Sequence, residues 1–213
     1  MTTSALATEL LTDMVTSDSS IDMMIGIGLN KDSDAVFFQY LGEEQTPSAL
    51  MLPSGKPLTR LANVRLVGLT VADGVGTFNS TKLNVILEST QGRRVMLTSG
   101  LTTLWSQYLI SGLSALQQEY ALDAPFTLDT WKGTSAMRPC FAAVRSGGQS
   151  VKDAHLTEQL KEAKADNNKQ RSEAILRDTV QILHASVTGG SVEPVSVSVS
   201  EEKVATVDEA LDF

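Results

Sequence analysis

Apolar and polar residues alternate in three successive segments between residues 62 and 99. The segments are ANVRLVGLTVA, TKLNVILES and RRVMLTS, and the turn sequences DGVG and TQG separate them. Alternation with a period of two is typical of strands that bury one face, and glycine-containing interruptions are typical of turns. We therefore predict a three-stranded meander, with Leu83, Val85 and Leu87 sharing one face of its middle strand.

The pattern changes to helical spacing between residues 100 and 120. Apolar and aromatic side chains recur there at intervals of three and four, which is the strongest helix signal in the chain. They form one stripe: Leu101, Leu104, Trp105, Tyr108, Leu109, Leu113 and Leu116. Two further strands are predicted after the helix, in PFTLDTWKG and in RPCFAAVR, and SGGQS ends the second of them.

This order of elements is similar to that of the OB-fold, a small Greek-key barrel. A meander of three strands, a helix with an apolar stripe and a pair of strands follow one another in both. We therefore predict an α+β, mostly β fold, with an OB-like five-stranded barrel and one intervening helix over residues 61–150. Other α+β folds can be built from the same list of elements.

Residues 1–60 are predicted to extend this core at its N-terminal side. A helix is indicated over residues 3–16, because Leu6, Leu10, Leu11 and Met14 fall at helical spacing. Two strand candidates follow in IDMMIGIGL and AVFFQYL, and SALML is a candidate for a further short strand.

Residues 151–187 are predicted to form a charged helical region, with DNNKQ as a candidate break between two helices. The remaining segment, 188–213, alternates Ser and Val and then becomes acidic. We interpret it as an extended linker and an acidic tail rather than an edge strand, because Pro194 and the preceding glycines disfavour regular structure.

Composition narrows the class of protein. The chain has 213 residues, of which 42% are hydrophobic and 20% are charged, as in globular domains. No run of 18 apolar residues and no secretory signal is present, so we expect no membrane association. Cys140 is the single cysteine, which excludes an internal disulfide and favours a reducing compartment. We therefore expect a cytoplasmic protein.

Motifs for catalysis are lacking in the sequence. It contains no phosphate-binding loop, no metal-binding histidine pair and no nucleophile elbow. Alternation in RPCFAAV points Cys140 inward, which favours a small core residue over a nucleophile. His155 and His184 lie in helical segments without companion ligands. We therefore expect no enzymatic activity, no cofactor and no metal.

The net charge of −8 is unevenly distributed along the chain. Residues 1–50 carry one lysine and eight acids, whereas residues 51–100 carry six cations and two acids; residues 191–213 carry one lysine and six acids. A local field rather than the total charge steers a charged ligand. The basic middle of the chain is therefore compatible with binding of nucleic acid.

Aromatic and basic residues of the predicted barrel suggest the binding surface. Proteins that bind single strands combine cations, which follow the backbone, with aromatic rings on which bases stack. Alternation puts Trp131 on one face of its strand with Thr127 and Asp129, and puts Phe141 together with Arg145. The candidate residues are Phe78, Lys82, Arg93, Arg94, Trp131, Lys132, Arg138, Phe141 and Arg145. Burial of Trp131 and Phe141 in the core is the competing interpretation.

The C-terminal sequence VDEALDF adds a resemblance. A strand-rich core, a polar linker and an acidic tail that ends in Phe resemble the single-stranded DNA-binding proteins of bacteria and phages. The resemblance implies that the tip recruits replication, recombination and repair proteins and competes with DNA. The corresponding residues are Asp208, Glu209, Leu211, Asp212 and Phe213. The family's tail usually has a denser aspartate run and a Pro before the Phe, whereas Asp212 precedes Phe213 here.

Two functions are therefore compatible with the sequence. In the first, the protein binds single-stranded nucleic acid, with DNA preferred, and recruits partner proteins through its tail; a homo-oligomer is expected. In the alternative, it is a non-enzymatic structural or assembly protein, encoded by a phage or plasmid, that oligomerises through the barrel. The two differ in salt dependence, because only phosphate binding releases counterions.

Overall fold

A computed structural model of the protein describes residues 21–41, 46–76, 79–119, 122 and 124–189. Within these ranges, nine strands form one sheet and three helices pack against it. The strands are β1 (Met23–Ile27), β2 (Phe37–Leu41), β3 (Thr46–Ala49), β4 (Arg60–Val75), β5 (Ser80–Ser89), β6 (Arg94–Gly100), β7 (Phe126–Lys132), β8 (Cys140–Ser146) and β9 (Gln149–Val151). The helices are α1 (Leu104–Glu119), α2 (Ala154–Ala165) and α3 (Lys169–Thr188). The helix predicted over residues 3–16 lies outside the described residues.

The order of strands in the sheet is β3-β2-β1-β6-β5-β4-β7-β8-β9. Every neighbouring pair is antiparallel except β1 and β6, which run parallel. The predicted meander is confirmed as β4, β5 and β6, and the predicted helix and following pair of strands are confirmed as α1, β7 and β8. From β4 to β8 the sequence of element types is therefore as expected.

The expected five-stranded OB-like barrel is wrong, because the sheet is open. Closing a barrel requires its two edge strands to pair with each other. The free edge of the meander is β6, and β1 occupies it in the register Met23↔Val95 to Gly26↔Thr98. The far side of β8 pairs with β9. The N-terminal strands β1–β3 thus belong to the same sheet as the meander.

Helix α1 is buried along most of its length. Trp105, Leu109, Leu113 and Leu116 of the predicted stripe are each almost fully inaccessible to solvent. The helix packs on β8 at Gly112, where an added Cβ would lie 2.6 Å from Cγ2 of Val144. Glycine at this position therefore permits the close approach of helix and strand.

The charged region after the sheet is two helices, as the break at DNNKQ predicted. Asn167 adopts a φ of 51°, and the Asn168 side chain caps α3 by accepting from the backbone N–H of Arg171. Helix α3 buries Leu176, Val180 and Leu183 and packs on β4. None of the helices within the described ranges is long and apolar enough to span a membrane.

Alternation along β7 and β8 separates a buried face from an outer face. Phe126, Leu128 and Thr130 of β7 are buried, whereas Trp131 is exposed. On β8, Ala142 and Val144 are buried between less buried neighbours. The faces predicted for these two strands are therefore confirmed. We call the face that carries Trp131 the outer face.

Candidate nucleic-acid interface

Two aromatic rings lie side by side on the outer face of β7 and β8. Trp131 and Phe141 are directly opposite each other in the antiparallel register. Their ring centroids are 5.8 Å apart and the ring planes differ by 18°, so the rings are stacked. Trp131 remains 44% exposed. A buried position for Trp131, the competing interpretation, is therefore wrong, and its indole is accessible to a flat ligand.

Tyr108 of α1 extends this aromatic pair. Its ring meets Phe141 edge-on, with a centroid distance of 5.6 Å and an interplanar angle of 79°. Tyr108 is 49% exposed, although the sequence pattern assigned it to the buried stripe of the helix. Strand β9 pairs only with the Val144–Ser146 end of β8. Tyr108 therefore contacts the part of β8 that does not pair with β9.

An Arg–Asp–Arg group, formed by Arg60, Asp129 and Arg145, lies on the same outer face. Arg60 Nε and Nη2 donate to the two carboxylate oxygens of Asp129, at 2.5 and 3.2 Å. Arg145 Nε donates to Oδ2 of Asp129 at 2.6 Å. The hydrogen bond from Arg60 lowers the pKa of the Asp129 carboxyl, which therefore stays ionised. The group keeps one excess positive charge.

A polar cleft of about 420 Å³ adjoins this group and is lined by both arginines. One wall is a bulge of β4, where the register shifts between Leu61 and Val64 and Asn63 adopts a φ of 53°. The opposite wall is the β8–β9 turn, formed by Gly147 and Gly148 at φ values of 56° and 83°. Because the turn residues lack side chains, the cleft is open at this wall.

A second Arg–acid–Arg group crosses β4, β5 and β6. Arg65, Glu88 and Arg94 are opposite one another in register. Glu88 accepts from Arg65 and, at 2.7 Å, from Arg94 Nε. Glu88 is only 5% exposed because the two guanidinium groups cover it. Hydrogen bonds from Arg65 and then Arg94 lower the pKa of its carboxyl.

Other predicted cations are held by contacts elsewhere or are at least partly buried. Lys132 Nζ donates to the backbone oxygens of Asn30 and Ser33, and Arg138 pairs with Asp34. These contacts tie the β1–β2 loop to β7 and to the loop between β7 and β8. Arg93, which immediately precedes β6, is only 9% exposed. Lys82 is partly buried on β5, with Ala72 of β4 and Gly100 of β6 opposite it.

The structure therefore brings together part of the predicted set. Trp131, Phe141 and Arg145 share one surface, whereas Lys132, Arg138 and Arg93 have structural contacts or are buried. Arg60 and Tyr108 join the surface although neither was predicted. Arg60 was missed because its strand begins before the alternation becomes regular. Phe78 and the tail residues lie outside the described residues, so those assignments stay predictions.

Cys140 lies at the start of β8, partly buried. Burial raises the pKa of its thiol, although Lys132 and Arg138 oppose the shift. A raised pKa disfavours the thiolate that a nucleophile requires. His155 is exposed on α2 and His184 lies on α3. Among the described residues, no three His, Cys, Asp or Glu side chains are grouped as a metal site would need.

Comparison with protein-family models, curated proteins and solved structures finds no significant match to this chain.

Proposed function

We propose that the protein binds single-stranded nucleic acid through the outer face of β7 and β8, without enzymatic activity. The observation that carries the proposal is the exposed Trp131–Phe141 stack on the same face as the Arg60–Asp129–Arg145 group. On β8, Phe141 and Arg145 are separated by roughly 13 Å, because a strand rises ~3.3 Å per residue. A base on the aromatic pair and a backbone near the arginines can therefore be bound together.

The aromatic pair and the arginines have different roles, which follow from their chemistry. Stacking of a base on an aromatic ring contributes ~1–3 kcal/mol and tolerates any base, because every base has a π face. Arginine contacts with phosphates fix the position of a strand without reading its sequence. The surface therefore suits binding of single strands without strong sequence preference. A duplex hides the faces of its bases, so it cannot use the aromatic pair.

The predicted residues have unequal roles in binding nucleic acid. Trp131, Phe141 and Arg145 form the binding surface, together with Arg60 and Tyr108. Lys132 and Arg138 support the loop beneath it and are not proposed to contact the strand. The preference for DNA and the capture of partner proteins by the acidic tail rest on the resemblance in the C-terminal sequence. Both are retained as parts of the proposal on that basis.

A fluorescence titration with single-stranded oligothymidylate at two salt concentrations tests the proposal. The protein has two tryptophans, and Trp105 is 1% exposed, so a change caused by ligand contact reports Trp131. We expect quenching on binding, weaker affinity at the higher salt concentration and weaker binding of the matching duplex.

Two results would contradict the proposal. Absence of quenching across the titration would remove the aromatic pair from any binding site for single strands. Self-association that buries Trp131 and does not depend on salt would favour the alternative function, an assembly protein. The oligomeric state by light scattering, measured in the same buffers, separates these two results.

A further inference from the structure

The cleft beside Arg60 and Arg145 has a composition that suits a small anion. Two guanidinium groups share a single carboxylate there, so the cleft holds one excess positive charge. An arginine side chain does not lose its proton in proteins, and Asp129 stays ionised beside its two partners. The excess charge is therefore present at neutral pH.

Hydrogen-bond donors remain for a ligand. Arg60 uses Nε and Nη2 on Asp129, and Arg145 uses Nε on Asp129 and Nη1 on the backbone oxygen of Gly148. Among contacts between described residues, Arg60 Nη1 and Arg145 Nη2 are not engaged. Both arginines line the cleft, and the planar geometry of such donors matches the oxygens of a phosphate.

The walls of the cleft favour the same ligand. The β4 bulge places Asn63 on one side, and the two glycines of the β8–β9 turn leave the other side open to solvent. A volume of about 420 Å³ accommodates a phosphate with its attached sugar. An apolar ligand is disfavoured, because entering the cleft would separate the guanidinium groups from water without replacing their hydrogen bonds.

We propose that this cleft binds a phosphate group of the nucleic acid, held by Arg60 and Arg145. The identity of the polymer as nucleic acid rests on the proposed function. The inference adds that one phosphate of the bound nucleic acid occupies a fixed position on the protein. The phosphate can come from an internal phosphodiester or from a 5′-terminal phosphate. Both offer the same oxygens, and the experiment below separates them.

The variant that tests the cleft is Arg60→Met. Arg60 is largely exposed, and Asp129 keeps its contact with Arg145, so the fold should be retained. Arg65→Met is the matched control, because it removes the same charge from the same strand and from the other Arg–acid–Arg group. Arg60→Lys tests geometry, since it keeps the charge but loses the planar fork of donors.

The measurement is the affinity for oligothymidylate, with and without a 5′-phosphate, over a series of salt concentrations. We expect Arg60→Met to weaken binding roughly tenfold at low salt and to reduce the slope of log affinity against log salt by about one. Arg65→Met should change affinity less than twofold. A loss confined to the 5′-phosphorylated strand assigns the cleft to the terminal phosphate; an equal loss for both strands assigns it to an internal one.

Equal effects of Arg60→Met and Arg65→Met on affinity and slope would overturn the cleft as a phosphate site, even if the wild-type protein binds single strands. If the wild type does not bind them, the proposed function fails by itself. The cleft is then tested with inorganic phosphate at constant ionic strength. If phosphate raises the melting temperature of the wild type and of Arg65→Met but not that of Arg60→Met, the cleft is supported as a phosphate site. Equal shifts in all three proteins overturn it.

Discussion

Gly28, which follows β1, lies so close to Cys140 of β8 that an added Cβ would be 2.7 Å from the sulfur. Gly28 also adopts a φ of 65°, in the left-handed region. The contact joins the β1–β2 loop to β8, which is far from β1 in the order of the sheet. Hydrogen bonds of Lys132 and Arg138 with the same loop reinforce it. The open sheet therefore curves until these two parts meet.

Gly28→Ala should destabilise the protein more than Gly55→Ala. Both glycines have positive φ, so each substitution costs ~1–2 kcal/mol of backbone strain. Only at Gly28 would the added Cβ clash with a neighbouring atom, and such overpacking adds ~1–3 kcal/mol. Denaturant unfolding of the two variants measures the difference. Equal free energies of unfolding would mean that the loop moves away from Cys140 at no cost.

Trp131→Ala should weaken binding of single strands by ~1–3 kcal/mol and lower the melting temperature only slightly, because the indole is 44% exposed. Trp105→Ala is the contrasting variant. Its side chain is almost fully buried, and truncating it should cost ~3–5 kcal/mol of stability. Unfolding of Trp131→Ala at ordinary temperature would show that the ring supports the fold rather than the ligand.

Glu88→Gln should lower stability at neutral pH by about 1–3 kcal/mol, since the charged hydrogen bonds from Arg65 and Arg94 are lost. The folded pKa of Glu88 lies below its ordinary value of 4.5. Its contribution is therefore full above that value and disappears as pH falls through the folded pKa. Unfolding curves of the variant and the wild type should therefore differ at pH 7 and converge in acid.

The control for this prediction is Glu158→Gln. Glu158 pairs with Lys161 at 3.0 Å on the exposed side of α2, where an ion pair contributes little. This variant should change stability by no more than ~0.5 kcal/mol at either pH. A difference between Glu88→Gln and wild type that persisted in acid would show that packing, not charge, explains the loss.

Cys140 should react slowly with thiol reagents in the native protein. Burial raises the pKa of its thiol, so little thiolate is present at neutral pH, and the side chain is partly buried. The rate should rise steeply in denaturant and at alkaline pH. Rapid, stoichiometric reaction of the folded protein at pH 7 would contradict this and would make a nucleophilic role worth testing.

Local patterns in the sequence predicted most of the strands and helices but not how distant strands pair in the sheet. Strands β4 to β8 and helix α1 were visible because alternation and helical spacing are properties of neighbouring residues. The pairing of β1 with β6 was not visible, because it depends on residues far apart in the chain. The three-residue strand β9 was too short to produce a pattern.

The candidate site was predictable to a similar degree. The faces of Trp131 and Phe141 followed from the period of two, and both residues were found together. The sharing of Asp129 by Arg60 and Arg145 could not be inferred, because Arg60 is joined to Asp129 only by the pairing of β4 with β7. Tyr108 was assigned to the buried stripe because helical spacing does not reveal how far each residue of a stripe is covered.

The parallel pairing of β1 with β6 has a consequence for synthesis of the chain. Strand β1 ends at Ile27, and its partner begins at Arg94. At a ribosomal rate of ~5–20 residues per second, several seconds pass before β6 can be reached. During this time the apolar segments of β1 and β2 expose an unpaired edge, which other chains can join.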